Sequence, residues 1–313
     1  KLHYDSNKTK GGTVVSSFWI ILIGSLVACS CSIVGCFLVL RKMSMVGDAI
    51  SHAVLPGIVI AFLLSGSKEP IFMIAGAIIF GLLTVYLISM FSNSGVQADA
   101  AIGVVFTALF AIGVVLVSLY TRQVHIDLDH VLYGEIAYAQ WDLISVAGID
   151  FIPRSVWLVG AVFLVNILLI TTFYKQFKLC AFDPIMAAAL GIPVVFFHYL
   201  LMTLVSVTTV ISFDSVGAIL VVGMLIVPAA TAYLLTEQLS KMIVISCLIG
   251  ICCSAGGYYL AFLLDASIAG CMVTIAGLLF TITLFFSPSH GVISKMIRRK
   301  QLSRKMASND ATL

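Results

Sequence analysis

Residues 41–62 read RKMSMVGDAISHAVLPGIVIAF, and this stretch carries the pattern that decides the fold. An Arg-Lys pair precedes a run that is mostly apolar. Its exceptions are a few small polar residues and two ionisable ones, Asp48 and His52. A helix that crosses a bilayer needs about 20 mostly apolar residues, and basic residues collect at its cytoplasmic end. We therefore expect residues 47–65 to span a membrane, with a carboxylate and an imidazole near the start of the span.

The composition of the whole chain agrees with this interpretation. The 313 residues are 61% apolar and only 10% charged, and their mean hydropathy is +1.15. A soluble globular chain is about 45–50% apolar and about 25% charged. So few charges cannot cover a surface in water, which excludes a soluble enzyme, a disordered regulator and a nucleic-acid-binding domain. The net charge of +3 is too small to indicate a polyanionic partner.

Apolar runs, cut at charges, prolines and Gly-Ser clusters, predict nine membrane spans. The spans cover approximately residues 14–40, 47–65, 70–91, 98–121, 154–174, 193–212, 215–235, 243–264 and 268–287. The predicted fold class is an all-α integral membrane protein with about nine transmembrane helices. Residues 14–288 would form one transmembrane domain, between an N-terminal tail of residues 1–13 and a basic tail of residues 289–313.

The lysines and arginines predict the orientation of these spans. The C-terminal tail is the most basic segment, so we place it in the cytoplasm. Counting back through nine spans puts most of the basic residues on the same side. The N-terminal tail, with three lysines, would lie on the opposite side.

Asp48 and His52 are the ionisable pair that stands out near membrane depth, where such residues are costly and tend to mark a pathway. Residues four apart on a helix share a face, with their Cβ atoms about 5–6 Å apart. Oxygen and nitrogen ligands together suit Mn²⁺, Fe²⁺ or Zn²⁺ and are poor for Cu⁺. Two ligands make a weak site, which favours a transit station over a storage site. The alternative is that Asp48 caps the helix and His52 hydrogen-bonds to a neighbouring span.

Four further residues predict kinks or gating points in the spans. Pro56 and Gly57 can bend the second span and free a backbone carbonyl as an additional ligand. Pro228 predicts a kink in the seventh span. Gly217 permits close helix packing at the start of that span.

Two connections are too long to be simple turns. Residues 122–153 are rich in aromatic side chains and predict an amphipathic helix at the outer interface. Residues 175–192, on the inner side, contain Asp183–Pro184, which is typical of a helix start, and Gly191, which is typical of a helix stop. The short helix between them would have the shape to dock into another protein, with an ordinary surface connector as the alternative.

Several catalytic signatures are missing from the sequence. It contains no G-x-x-x-x-G-K-[ST], no H-E-x-x-H and no G-x-S-x-G. The chain therefore carries no ATP-binding loop of its own and gives no indication of an enzyme.

Four stretches, in this order, resemble the membrane permeases of bacterial ABC importers for manganese, zinc or iron, the ABC-3 permease family. They are the stretch quoted above, DAAIGVVFTALFAIGVVL at 99–116, FKLCAFDPIMAAALGIP at 177–193 and VGAILVVGMLIVPAATAYLL at 216–235. The resemblance covers approximately residues 15–288, and segments 48–57 and 216–232 are its most specific parts.

The resemblance implies a vitamin-B12-permease-like (type II) ABC importer bundle in the bacterial cytoplasmic (inner) membrane. It implies a second permease subunit, identical or paralogous, two copies of a cytoplasmic ATPase and an extracytoplasmic metal-binding protein, besides membrane lipid. Residues 122–153 would face the metal-binding protein. No permanently bound cofactor is implied, since the divalent metal ion (Mn, Zn or Fe) is the cargo.

The resemblance also implies roles for two groups of residues. The D-x-x-x-H pair, Asp48 and His52, matches the position where these permeases are thought to coordinate metal. Residues 175–192 match the segment that couples the permease to the ATPase. The candidates for contact with the ATPase are Phe182, Asp183, Pro184, Ala187 and Gly191. The implied mechanism is alternating access driven by the ATPase.

Two other functions compete with this one. A permease for a metal chelate, such as a siderophore or cobalamin, would need a wide pathway and has no reason to keep a buried D-x-x-x-H pair. A secondary transporter or channel that needs no ATP would be favoured by inverted repeats, and the two halves of the sequence show no convincing similarity.

Overall fold

The structure is a computed structural model that describes residues 6–65, 70–120, 136 and 153–287. The regular elements in this part of the chain are α-helices. They are α1 (Ser6–Leu40), α2 (Met45–Ala53), α3 (Leu55–Ser65), α4 (Pro70–Asn93), α5 (Ala98–Tyr120), α6 (Arg154–Thr172), α7 (Tyr174–Phe182), α8 (Pro184–Ala189), α9 (Val194–Val216), α10 (Ala218–Leu235), α11 (Leu239–Leu264) and α12 (Ile268–Phe286). The predicted outer segment 122–153, apart from residues 136 and 153, and the basic tail 289–313 lie outside the described residues.

Nine stretches of the described chain are long and apolar enough to cross a membrane, as the hydropathy pattern predicts. Two of the helices extend beyond the predicted spans. α1 begins at Ser6, inside the predicted N-terminal tail. The sixth span continues to Val216 instead of ending at residue 212, so that Gly217 alone separates α9 from α10.

The second span is interrupted at Val54, which separates α2 from α3. The Val54 amide donates to the Ile50 carbonyl and the Ile58 amide donates to the Val54 carbonyl, both at 3.1 Å. Pro56 has no amide hydrogen, so the carbonyl of residue 52, four positions earlier, lacks its usual helical donor. The span therefore continues in direction but has a gap in its hydrogen bonding beside the proline.

α1 forms the centre of the bundle, and its residues 17–40 are mostly apolar on every side. It packs against α6, α9, α10 and α11. The side chains of Ile23, Val27, Val34 and Phe37 have no exposed surface, as expected for a helix that is hydrophobic all round. α4, α5 and α12 instead carry large exposed apolar side chains, which suit contact with lipid or another subunit.

The interruption of the second span is held between two neighbouring helices. A Cβ atom added to Gly57 would lie 2.5 Å from the carbonyl oxygen of Gly76 on α4. A Cβ atom added to Gly113 on α5 would lie 2.8 Å from Cδ of Pro56. Small residues at such crossings allow spanning helices to approach closely, so α4 and α5 fix the position of Pro56 and Gly57.

A buried polar network ties three spans together. The side-chain amide of Asn166 on α6 donates to Ser30 Oγ on α1 at 3.1 Å and to Thr208 Oγ1 on α9 at 2.8 Å. All three residues are almost completely buried. Hydrogen bonds of this kind between spanning helices are worth about 1 kcal/mol each, and they set the register of α6 and α9 on α1.

Candidate metal site and coupling segment

Asp48 and His52 lie on one face of α2, and the prediction that they share a face is confirmed. Oδ1 of Asp48 is 3.5 Å from Nε2 of His52. The residues on the other faces of α2 are buried in the bundle. These are Val46, Gly47, Ala49, Ile50, Ser51 and Ala53.

The rest of the chain covers this pair only in part. The side chains of Asp48 and His52 are 39% and 34% exposed. Phe106 and Phe110 of α5 pack on the imidazole, with ring centroids 5.9 Å and 5.8 Å away. These rings restrict the imidazole and leave its Nε2 directed at the carboxylate. The arrangement presents one oxygen and one nitrogen ligand on the exposed face of a mostly buried helix.

The alternative that Asp48 caps the helix is wrong. Ser44 occupies the N-cap position of α2, and Asp48 lies inside the first turn. A carboxylate there is favoured by the helix dipole. This position explains why an acidic side chain is tolerated, and it leaves the carboxylate oxygens available for a ligand.

The protein supplies few ligands to this site. Among the described residues, His, Cys, Asp and Glu side chains form no group of three or more that could hold a metal ion. The carbonyl of His52, which Pro56 leaves without a donor, is a further oxygen on the same turn of chain. Structural metal sites are usually closed by four protein ligands. An ion held by two side chains would keep several positions for water or for a delivering ligand.

α10 packs against both α1 and α2 close to the Asp48–His52 pair. A side chain at Gly47 would overlap that of Leu225, and a side chain at Gly35 would overlap the Leu225 carbonyl. Pro228 lies inside α10 and cannot donate to the carbonyl of Met224. Ser32 Oγ on α1 donates to that carbonyl at 3.5 Å instead. The helix that carries Pro228 is therefore in contact with the helix that carries Asp48.

Gly217 is the turn between α9 and α10. Its φ of 83° and ψ of 165° lie in a region that side chains disfavour and glycine accepts. Its amide donates to the Phe213 carbonyl at 2.9 Å. Gly217 alone therefore connects α9 to α10, besides the close packing that the sequence predicts for it.

The segment at 175–192 contains the predicted short helix. Asp183 is the N-cap of α8, and its Oδ1 accepts from the Met186 amide at 2.9 Å. Pro184 opens the helix, and Gly191, with φ of 78°, follows its end. The cap-and-stop pattern is confirmed. The sequence missed α7, a second short helix that follows α6 after a break at Phe173.

Apolar side chains of this segment are exposed on the same side of the bundle as the end of α1. Phe182 is 55% exposed, Ile185 82% and Leu190 63%. Asp183, Pro184 and Gly191 are exposed as well, whereas Ala187 is fully buried. Ala187 therefore lies on the buried face of α8 and cannot contact a partner without rearrangement. Phe182 also lines a cavity of about 210 Å³ with Tyr233 and Glu237.

Arg41 is a contact residue that the sequence analysis treated only as a marker of orientation. Its guanidinium lies 3.1 Å from Nδ1 of His198 and donates to the carbonyl of Cys180 at 3.3 Å. Burial lowers the pKa of Arg41 below its ordinary value, although an arginine remains charged in proteins. The basic pair before the second span is the only sign of Arg41 in the sequence. It does not reveal the partners of Arg41, because these lie far away along the chain.

Comparison with known proteins identifies a family. The sequence model of the ABC 3 transport family matches residues 16–287. The chain is 50% identical to the manganese transport system membrane protein MntD of Bacillus subtilis (strain 168), over 92% of this chain and 98% of that protein. It is 43% identical to the zinc transport system membrane protein TroD of Treponema pallidum (strain Nichols), over 90% of this chain and 77% of that protein.

A solved structure has the same fold. The structure of PsaBC from Streptococcus pneumoniae in complex with Fab contains a chain that is 35% identical to this one, with a TM-score of 0.74. The match covers 90% of this chain and 94% of that chain. The expected all-α permease bundle of a type II ABC importer is thereby confirmed, with nine candidate spans in the part of the chain that the structure describes.

Proposed function

This chain belongs to the ABC 3 transport family, and from that premise we propose that it is the membrane permease subunit of a bacterial ATP-driven importer of a divalent transition-metal ion. Its relatives are named as membrane proteins of manganese and zinc transport systems. The chain would be a multi-pass protein of the cytoplasmic membrane, and the reaction it serves is movement of an ion rather than a change of covalent bonds.

The observation that carries this proposal is the Asp48–His52 contact on the exposed face of α2. A carboxylate within a membrane span costs several kcal/mol unless it is paired, hydrated or bound to a cation. The helix dipole and the His52 imidazole compensate for part of this cost, and the two phenylalanine rings that pack on the imidazole add no charge, so the carboxylate has room for further compensation. A divalent ion bound by Oδ1 of Asp48 and Nε2 of His52 would provide it.

The ligand chemistry limits the cargo to a class. One carboxylate and one imidazole suit Mn²⁺, Fe²⁺ and Zn²⁺, while a thiolate or thioether would be needed to favour Cu⁺. The His52 carbonyl, freed by Pro56, is the proposed third ligand. With water in the remaining positions, the ion is held weakly enough to leave again.

The complete importer would contain two permease subunits, two cytoplasmic ATPase subunits and an extracytoplasmic metal-binding protein. The exposed apolar side chains of α8 support docking of the ATPase there, since such a surface is unfavourable in water. We place the basic C-terminal tail in the cytoplasm, and the same count of spans places α8 on the cytoplasmic side, where the ATPase would dock. The outer segment 122–153 is the proposed contact with the metal-binding protein.

Transport would proceed by alternating access. The ion arrives from the outside and exchanges water for the Asp48 carboxylate and the His52 imidazole. Closure of the ATPase moves α8, and the bundle tilts so that the same two side chains face the cytoplasm. Pro56, Gly57, Gly217 and Pro228 are the proposed points at which the spans bend.

The experiment is transport by the purified complex in proteoliposomes. We expect ATP-dependent uptake of Mn²⁺, Zn²⁺ or Fe²⁺. We also expect each of the other two ions to compete with the one that is transported. Uptake of a siderophore or cobalamin in preference to the free ions would refute the proposal. Uptake by the permease alone, without the ATPase, would identify a secondary transporter instead.

A further inference from the structure

Arg41 joins three helices at the inner end of the bundle. It follows α1 directly, its Nη1 lies 3.1 Å from Nδ1 of His198 on α9, and its Nη2 donates to the Cys180 carbonyl on α7 at 3.3 Å. Both acceptors are uncharged, because an imidazole nitrogen that accepts a hydrogen bond carries no proton. Together these bonds hold the end of α1 against the coupling segment.

The connection from Arg41 to α2 has little freedom of its own. The amides of Arg41, Lys42 and Met43 donate to Phe37, Val39 and Leu38 carbonyls at 3.0, 3.1 and 2.9 Å. The Val46 amide then donates to the Met43 carbonyl at 3.1 Å. Lys42 is held at φ of 57°, a conformation that is uncommon without glycine. A displacement of Arg41 is therefore passed to the first turn of α2, which contains Asp48.

An aromatic cluster presses the same three helices together. The ring of Phe177 on α7 lies 5.7 Å from that of Phe37 on α1 and 5.4 Å from that of Phe197 on α9. Phe177 and Phe37 are almost completely buried. Apolar packing resists separation of the helices but has no preferred direction. The hydrogen bonds of Arg41 add direction, because the guanidinium has donors in a fixed planar fork.

We propose that Arg41 is a positioning residue that passes movement of the coupling segment to the helix that carries Asp48 and His52. This inference rests on the proposed function, since it assumes that the ATPase moves α7 and α8. The aromatic cluster keeps α1, α7 and α9 in contact, and Arg41 makes the end of α1 follow the rotation and sliding of α7. Without Arg41 the coupling segment would move while α2 stays behind.

The test measures metal uptake and ATP hydrolysis together in proteoliposomes that contain the whole complex. We expect Arg41→Ala to lower the number of ions transported per ATP by about tenfold, because it removes both hydrogen bonds of the guanidinium. ATP hydrolysis should stay within about twofold of the parent, because the docking surface is unchanged. Lys241→Ala is the matched control, since it removes an exposed basic residue from the same side of the bundle.

Two further variants separate positioning from stability. Arg41→Lys keeps the charge but cannot reach both acceptors with a planar fork, and we expect about a threefold loss of ions per ATP. His198→Phe removes one acceptor and should produce a similar loss. The double variant Arg41→Ala/His198→Phe should be no worse than Arg41→Ala alone, because both changes break one interaction.

Two results would overturn the inference. One is a normal ratio of ions to ATP in Arg41→Ala. The other is an equal loss of uptake and hydrolysis in Arg41→Lys and His198→Phe, which would indicate a merely structural role even if Arg41→Ala does not assemble. A parent complex without ATP-driven metal uptake would refute the proposed function itself, so the two failures are distinguishable.

Discussion

Two short broken-helix segments of this molecule, α2–α3 and α7–α8, use the same device in opposite surroundings. Each consists of two helices separated by one residue, with a proline near the start of the second helix. The proline is Pro56, the second residue of α3, in the first segment and Pro184, the first residue of α8, in the second. In the first, ionisable side chains are partly exposed within a stretch long and apolar enough to cross a membrane. In the second, apolar side chains are exposed at the end of the bundle, outside the spans. Each surface is unfavourable in its own solvent, which supports our proposal that the first binds a metal ion and the second binds the ATPase.

The two prolines differ in what they leave unpaired. Pro56 stands after the break inside a span and deprives the His52 carbonyl of its donor. Pro184 stands at the first position of α8, where an amide would have no helical partner in any case, and Asp183 caps the helix there. One break leaves a carbonyl oxygen near the two proposed metal ligands, whereas the other only shapes the helix that we propose to dock on the ATPase.

The largest expected effect comes from removing the ionisable pair. Asp48→Ala or His52→Ala should reduce metal uptake by at least about 100-fold, more than is typical for loss of an outer-shell partner of a metal ligand. Protein level and ATPase co-purification should be unchanged, because both side chains lie on an exposed face. Asp99→Ala is the control, since Asp99 is an exposed carboxylate at the start of α5. Normal uptake in both site variants would contradict the site.

The second prediction compares the two prolines directly. Pro56→Ala restores a donor to the His52 carbonyl and should weaken metal binding by about tenfold, the effect of losing one ligand interaction of about 1.4 kcal/mol. Pro184→Ala should leave metal binding within about twofold, because the first helical position of α8 needs no donor. Equilibrium titration with Mn²⁺ measures the first effect. Equal behaviour of the two variants would remove the distinction between the breaks.

The third prediction concerns the apolar surface of α8. Ile185→Asp or Leu190→Asp should lower co-purification of the ATPase about tenfold or more, because a buried unpaired charge costs several kcal/mol. Metal binding at Asp48 and His52 should not change. Ala189→Ser is the control, as it adds a polar group to an exposed position of the same helix. Full co-purification of both aspartate variants would show that the ATPase docks elsewhere.

The smallest expected effect is loss of the cap of α8. Asp183→Ala removes the acceptor for the Met186 amide and should cost about 1 kcal/mol of local helix stability. This corresponds to about a fivefold weaker affinity for the ATPase, measured with the purified subunits. Asp183→Asn keeps a capping oxygen and should bind normally. Equal loss in both variants would point to the charge of Asp183 rather than to its capping bond.

Much of this fold follows from short stretches of sequence. Apolar runs locate the nine spans because each must supply about 20 residues that tolerate lipid. Asp183, Pro184 and Gly191 predict α8 because capping involves neighbours three or four residues apart. α7 could not be recognised in this way. Its Lys175 and Lys178 make it too polar for a membrane span, and no capping side chain precedes it, so its sequence looks like part of the connection between two spans.

The sequence by itself determined that the chain lies in lipid, where its spans are, and that Asp48 and His52 share a helix face. These features depend on hydropathy and helical spacing, which act between residues that are close along the chain. Only the tertiary structure decided which surfaces remain open. It covers Ala187, leaves Asp48 partly exposed, and brings Arg41 to Cys180 and His198. Those outcomes depend on how separate helices pack against one another, since a contact across more than a hundred residues leaves no periodic signal in a single sequence.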